Sequence, residues 1–268
     1  METPQKEIYR YLGMKEEAAD EKTRLLVADC LRELQEAAKP RSFYRVYPLE
    51  ILPDGVLDLT CMRVRSRDLG KNLAGCEAAV LFAATLGAGV GRLLLRYGRL
   101  AVSRAAVLQA ASAAMIEAYC DGCNERLREE ARAKGFFLRP RFSPGYGDFA
   151  LACQRDLCRA LETEKTVGIT LTEGGMMAPS KSVTAVIGAG RAPAPGEEEG
   201  CGTCEKRDSC AFARREKAFF GRGAADSGKS AADSGKSAAD SGESGTDSGE
   251  SGGNDGSKGC VKGADPSV

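Results

Sequence analysis

Four successive seven-residue units, AADSGKS, AADSGKS, AADSGES and GTDSGES over residues 224–251, decide where this chain can fold. The period is that of a heptad, yet no unit holds an apolar residue larger than alanine and each contains a glycine, so no coiled-coil seam can be buried. Residues 221–268 are therefore read as a flexible, solvated, disordered tail or a tether to a partner. The core must come from the first 220 or so residues, enough for one domain with an appendage.

The charge balance narrows the partners. Lys and Arg number 38, as do Asp and Glu, leaving no net field to attract nucleic acid or an anionic membrane. The longest uncharged stretch, Ala78 to Gly91, has 14 residues, short of the roughly 20 that a membrane-spanning helix needs. The opening METPQKEIYR has no apolar segment to act as a secretion signal. A cytoplasmic protein with a small-molecule or protein partner is expected. There is no histidine, which removes Ser-His-Asp catalysis, imidazole zinc sites and the commonest neutral-pH base. In that setting the 11 cysteines point to free thiols, metal ligands or redox chemistry rather than a disulfide framework.

Apolar spacing predicts the elements. Val27, Cys30, Leu31 and Leu34 mark an amphipathic helix over about 15–38, ending before Pro40. Ser42 to Ile51 and Val56 to Val64 read as strands joined by the Pro53-Asp54-Gly55 turn. Ser66 can cap a short helix through Leu73, and Glu77 to Gly87 is an apolar strand with a glycine exit. The stretch from about Ala101 to Lys134, rich in Ala, Leu, Arg and Glu, predicts a long helix, and a further helix is expected over roughly Leu151 to Thr166. ITLTE and SVTAVIG look like strands flanking an irregular Met-Met-Ala-Pro loop. Helices and strands alternate without a strict βαβ rhythm, so the expected fold class is α+β, a mixed sheet packed with long helices.

LGAGVGR, at Leu86 to Arg92, lies between a strand and a helix, where a dinucleotide loop would sit. Its glycines fall at 87, 89 and 91, leaving Arg92 at the third position of GxGxxG. A strand-to-helix turn is the better reading.

The most specific stretch is RFSPGYGDF, Arg141 to Phe149. Pro144-Gly145 suits the centre of a type II turn, with proline fixing φ at the first position and glycine allowing positive φ at the second. Such a turn brings Arg141 and Tyr146 together. A guanidinium fork matches a carboxylate, and the phenol offers a π face or a hydroxyl. The pair suits a ligand carrying an anionic group and a flat or cationic one, although Arg beside Tyr in a turn also arises from packing alone.

About 25 residues on, the sequence runs Leu171-Thr172-Glu173-Gly174-Gly175-Met176-Met177-Ala178-Pro179-Ser180-Lys181-Ser182-Val183. RFSPGY followed by this segment resembles the reactivation domain of cobalamin-dependent methionine synthase, with its RxxPGY loop, helix, and LTESxxMxPxxSV pattern. The likeness covers about residues 40–190, and the first 40 residues look closer to free-standing versions. It implies a domain, residues 1–190, that binds S-adenosylmethionine and presents it to a corrinoid on a separate methionine synthase subunit, so that inactive cob(II)alamin is reduced and methylated. Arg141 matches the ligand-gripping arginine, Gly145 and Tyr146 match the turn beside it, and Glu117 on the long helix is similar to the family's ligand-binding glutamate; a solvated helix face is the alternative for Glu117. The chain departs from the pattern where Asp148 and Gln154 stand near a family Pro-x-His, and where no tyrosine pair follows the SV strand. It also has no room for cobalamin, homocysteine and folate modules, so the resemblance implies action in trans, as an accessory component of a methyltransferase. Positioning rather than acid–base chemistry would be its contribution.

Cys201, Cys204 and Cys210, spaced CxxCx5C beyond a Pro/Gly linker, read as a metal or iron–sulfur appendage over residues 191–220, with zinc and a cluster both open. A cluster could pass an electron from a donor protein to the corrinoid partner. The alternative function is an iron–sulfur redox module or docking partner of a corrinoid methyltransferase that binds no S-adenosylmethionine. Cys120 and Cys123, although spaced CxxC, lie mid-helix, and with Cys153 and Cys158 they read as buried small hydrophobes.

Overall fold

The computed structural model describes residues 3–193; the Cys201, Cys204 and Cys210 motif and the repeats at 221–268 lie outside the described residues. The chain begins with α1 (Gln5–Tyr11) and α2 (Glu21–Ala37). The latter starts later than its apolar spacing suggested, because the Asp20 side chain accepts from the Thr23 amide and caps it there. Next come β1 (Arg41–Pro48), the small strands β2 (Glu50–Ile51), β3 (Val56–Asp58) and β4 (Arg63–Arg65), then α3 (Arg67–Asn72) and β5 (Cys76–Thr85). The helices α4 (Ala88–Leu100) and α5 (Val102–Ala133) lead into β6 (Phe137–Leu138). The last elements are α6 (Gln154–Leu161), α7 (Thr163–Thr166), β7 (Thr170–Leu171), β8 (Met177–Ala178) and β9 (Ser182–Gly190).

A four-stranded sheet in the order β1-β5-β9-β6 organises the molecule, and every strand pairing among the described residues is antiparallel. The architecture is α+β. Alternation along β5 shows why an apolar run was needed there. Val80, Phe82 and Ala84 face a core built with α1, α2, α4 and α5, while Ala79, Leu81 and Ala83 face a second core with Phe149, Leu157 and Leu161. Covered on both faces, the central strand cannot alternate polar and apolar residues.

The structure corrects four expectations. The strand over Val56 to Val64 is instead a hairpin, β3 paired antiparallel with β4, that reverses around Thr60 with φ 66°. The single strand over Ser42 to Ile51 is divided at Pro48. Its first part pairs with β5, and its end joins a separate sheet, β2-β3-β4, through the Pro53-Asp54-Gly55 turn. The Leu151–Thr166 helix is broken at Glu162, which takes a left-handed conformation with φ 48°. There Arg45 donates to the Ala160 carbonyl at 2.8 Å and pairs with the Glu162 carboxylate at 2.7 Å, capping the end of α6 from β1. The Met-Met-Ala-Pro loop is partly regular: β7 and β8 pair Thr170 with Ala178 and Leu171 with Met177.

The glycine-rich exit of β5 is not a phosphate cradle. Gly87 has φ 85° and precedes α4, but Gly89 and Gly91 lie inside that helix. Gly89 packs so closely on the Ala37 carbonyl that a Cβ would collide with it.

Candidate functional site

β6 is only two residues long, so it covers only the far end of β9, pairing with Ala189 and Gly190. Beyond it the chain continues along the same edge. The Arg139 amide donates to the Gly188 carbonyl at 2.8 Å, and Phe142 and Val186 exchange both backbone hydrogen bonds at 2.9 Å. The two-residue alternation of an antiparallel strand turns the backbone groups of Thr184 to this edge too. No strand among the described residues lies across from them, because after Phe142 the chain turns away.

That departure is the Pro144-Gly145 turn. Gly145 has φ 96°, and the Tyr146 amide donates to the Ser143 carbonyl at 3.1 Å, as a type II turn requires. The loop closes with the Gly145 amide on the Phe149 carbonyl at 2.7 Å, and Phe149 is buried in the second core. Asp148 fastens the loop to α3. Its carboxylate accepts from Ser66 Oγ at 2.6 Å and from the amides of Arg67 and Asp68 at 2.9 and 3.0 Å. The Ser66 hydroxyl and these amides hold its pKa down at about 2. Asp148, one of the two residues standing near the family's Pro-x-His, is thus a helix cap; no contact of its side chain involves the groove described next.

The turn and the uncovered edge enclose a groove of about 280 Å³, lined by Arg141, Glu117 and Tyr146 together with Gln154, Met177 and residues 182–184, among others. Arg141, whose side chain is 16% exposed, places Nη2 3.1 Å from Glu117 Oε2 and 2.8 Å from Asp121 Oδ1. Glu117 and Asp121 are four apart on α5, one turn of the same face, and their repulsion is offset by the shared guanidinium. Arg141 Nη1 is buried with no hydrogen-bond partner among the described residues, as is Thr184 Oγ1. Tyr146 is 60% exposed, its ring edge-on to Phe142 at 6.2 Å. Gly145 shapes the turn and does not line the groove. Thus Glu117, Arg141 and Tyr146 line one groove although they come from a helix, an edge segment and a turn.

Sequence reasoning did not assign Asp121, Met177, Gln154 or Thr184 to the site. The SV motif was the available signal for Thr184, which directly follows it; Gln154 had only its closeness to the turn. A larger cavity of about 430 Å³ between β1 and the small sheet is lined by Asp58, Thr60 and Arg63 among others. There Arg63 and Asp58 satisfy each other at 2.7 Å. Cys120 and Cys123 are buried free thiols on α5, and burial pushes Cys120 up to about 12. No group of three metal-ligating side chains occurs among the described residues, nor is any helix among them long and apolar enough to cross a membrane.

Fold and groove together define an α+β domain with a charged groove along an unpaired stretch of sheet edge. The chain belongs to the family of the vitamin B12 dependent methionine synthase activation domain, whose model matches residues 79–217. Among solved structures, the MetH reactivation domain bound to AdoHcy superposes with a TM-score of 0.51 over 69% of this chain and 73% of that one, at 16% identity. That likeness is one of fold. No curated protein matches the chain.

Proposed function

We propose that the groove binds S-adenosylmethionine and that the chain, acting in trans in the cytoplasm, reactivates a corrinoid-dependent methionine synthase. The observation that carries this reading is the unpartnered, buried Nη1 of Arg141 beside Glu117. A zwitterionic amino-acid end satisfies both: its carboxylate meets the free face of the guanidinium and its ammonium meets the glutamate. The solved relative with AdoHcy bound belongs to the same kind of domain, and AdoHcy shares that end. Tyr146, held beside the turn with its ring exposed, offers a surface for the flat base.

The groove's 280 Å³ is at the small end of ordinary ligand sites, roughly 300–1,000 Å³. A long ligand therefore lies along the edge with part of its surface exposed. That suits a domain whose task is to hold an electrophilic methyl group where another protein's corrinoid can reach it. The residues of this chain bind and orient the donor. We further propose that residues 191–220, through Cys201, Cys204 and Cys210, bind zinc or an iron–sulfur cluster, and that a cluster there relays an electron from a donor protein.

Calorimetry of the full chain against S-adenosylmethionine tests the central claim. Saturable binding is expected, weakened roughly 10- to 100-fold in Arg141→Gln, since a charge-assisted contact contributes about 1.5–3 kcal/mol. Absence of binding to the wild-type chain refutes it and leaves the chain as a docking or redox module. That second reading is favoured by one feature: β9 continues from Ser182-Val183 to Gly190 without a tyrosine.

A further inference from the structure

The groove has two chemically distinct ends. Glu117 reaches it from α5, on the side of the sheet that buries Phe82 and Leu108. Thr184 comes from the opposite face of β9, since it alternates in step with Val186, which lies in the second core. Gln154 enters from that side as well. It opens α6, whose Leu157 and Leu161 pack into the same core. The charged pair and the two neutral polar side chains thus straddle the unpaired edge of β9.

Both neutral groups are out of place as packing residues. Gln154 is 6% exposed and Thr184 2%, and both line the groove. Thr184 Oγ1 has no hydrogen-bond partner among the described residues. Gln154, buried on the same side of the sheet, lines the groove beside it. A buried hydroxyl without a partner weakens a fold. Valine would fill the volume of Thr184 without that penalty.

We propose that Gln154 and Thr184 form an uncharged anchor that reads the nucleoside half of the ligand, while Arg141 and Glu117 hold its amino-acid half. The inference rests on the S-adenosylmethionine reading above. A primary amide supplies a donor and an acceptor side by side, and a hydroxyl supplies either. Purine edges and ribose hydroxyls present the complementary pattern. A site built to bond such groups discriminates strongly against ligands that lack them, because its own buried polar groups are then left unpaired.

The test compares S-adenosylmethionine with 5′-methylthioadenosine, which keeps the nucleoside and the methyl-bearing sulfur, as a neutral thioether in place of the sulfonium, but lacks the amino-acid end. Calorimetric or competition titrations are run on the full chain and on Gln154→Leu, Thr184→Val, Thr184→Ser and Arg141→Gln. Gln154→Leu and Thr184→Val are expected to weaken both ligands by the same factor, roughly 3- to 10-fold each. Thr184→Ser should restore wild-type binding, and Arg141→Gln should weaken S-adenosylmethionine while leaving methylthioadenosine unchanged. Thermal midpoints monitor folding; because Thr184→Val conserves shape, it carries the test if Gln154→Leu does not fold. Wild-type affinity for methylthioadenosine in both variants overturns the anchor and leaves the S-adenosylmethionine reading standing. So does a wild-type chain that binds S-adenosylmethionine with no competition from millimolar methylthioadenosine. A wild-type chain that binds neither ligand overturns both proposals.

Discussion

Replacing Asp148 by alanine removes the fastening between the RFSPGYGDF loop and the N-terminus of α3. Three donors lose their acceptor: Ser66 Oγ and the amides of Arg67 and Asp68. Ser66 still caps α3 by accepting from the Leu69 amide at 3.1 Å, so the helix remains. Asp148 is solvent-exposed, and screening reduces the value of its charge. The loss of a capping carboxylate is set at about 1–2 kcal/mol. For a fold of this size each kcal/mol moves the thermal midpoint by roughly 2–4 °C, giving a fall of about 2–8 °C. The pH dependence is a sharper signature. Folding lowers the Asp148 pKa from 3.8 to about 2. Its stabilisation is therefore fully present above the unfolded value and is lost as pH falls through 4 towards 2. The gap between wild type and Asp148→Ala should be constant from pH 5 to 8 and close below pH 4. Asp148→Asn, which keeps an acceptor without the charge, should show about half the loss. Urea unfolding followed by far-UV circular dichroism measures this, the chain having no tryptophan. A gap below about 0.3 kcal/mol at pH 7, or one undiminished at pH 2.5, refutes the capping argument.

Two further expectations follow from packing. Gly89→Ala drives a methyl group into the Ala37 backbone and should cost roughly 1–3 kcal/mol as overpacking, whereas Gly91→Ala, which meets nothing within 4 Å in the same helix, should stabilise by about 0.4–1 kcal/mol; equal effects in thermal melts would contradict the close α2–α4 contact. The Cys120 thiol, raised to about 12 by burial, should resist iodoacetamide at pH 8 until the protein unfolds. Peptide mass spectrometry showing native-state labelling faster than unfolding would count against that burial.

What could be read from residues alone was what neighbours in the chain decide. α5 follows from a run rich in helix formers with no proline, α3 from the Ser66 cap, and the Pro144-Gly145 turn from two residues with opposite φ preferences. The family likeness rested on two motifs whose spacing survives in the sequence, and Arg141, Tyr146 and Glu117 came with it. The interruptions were not legible. Nothing local says that Pro48 ends a strand in one sheet and hands the chain to another. Nor does it show that Arg45, more than a hundred residues earlier, caps the end of α6 beside a left-handed Glu162.

The sequence by itself determined which segments could be helix, strand or turn, because propensity and patterning act over a few residues. Only the tertiary structure decided that β6 is too short to cover β9, that Asp148 serves α3, and that Gln154 and Thr184 meet Arg141 and Glu117 in one groove. Those outcomes depend on which strand edge stays unpaired and which faces the helices cover. Contacts between residues far apart in the chain settle them, and no local pattern encodes such contacts.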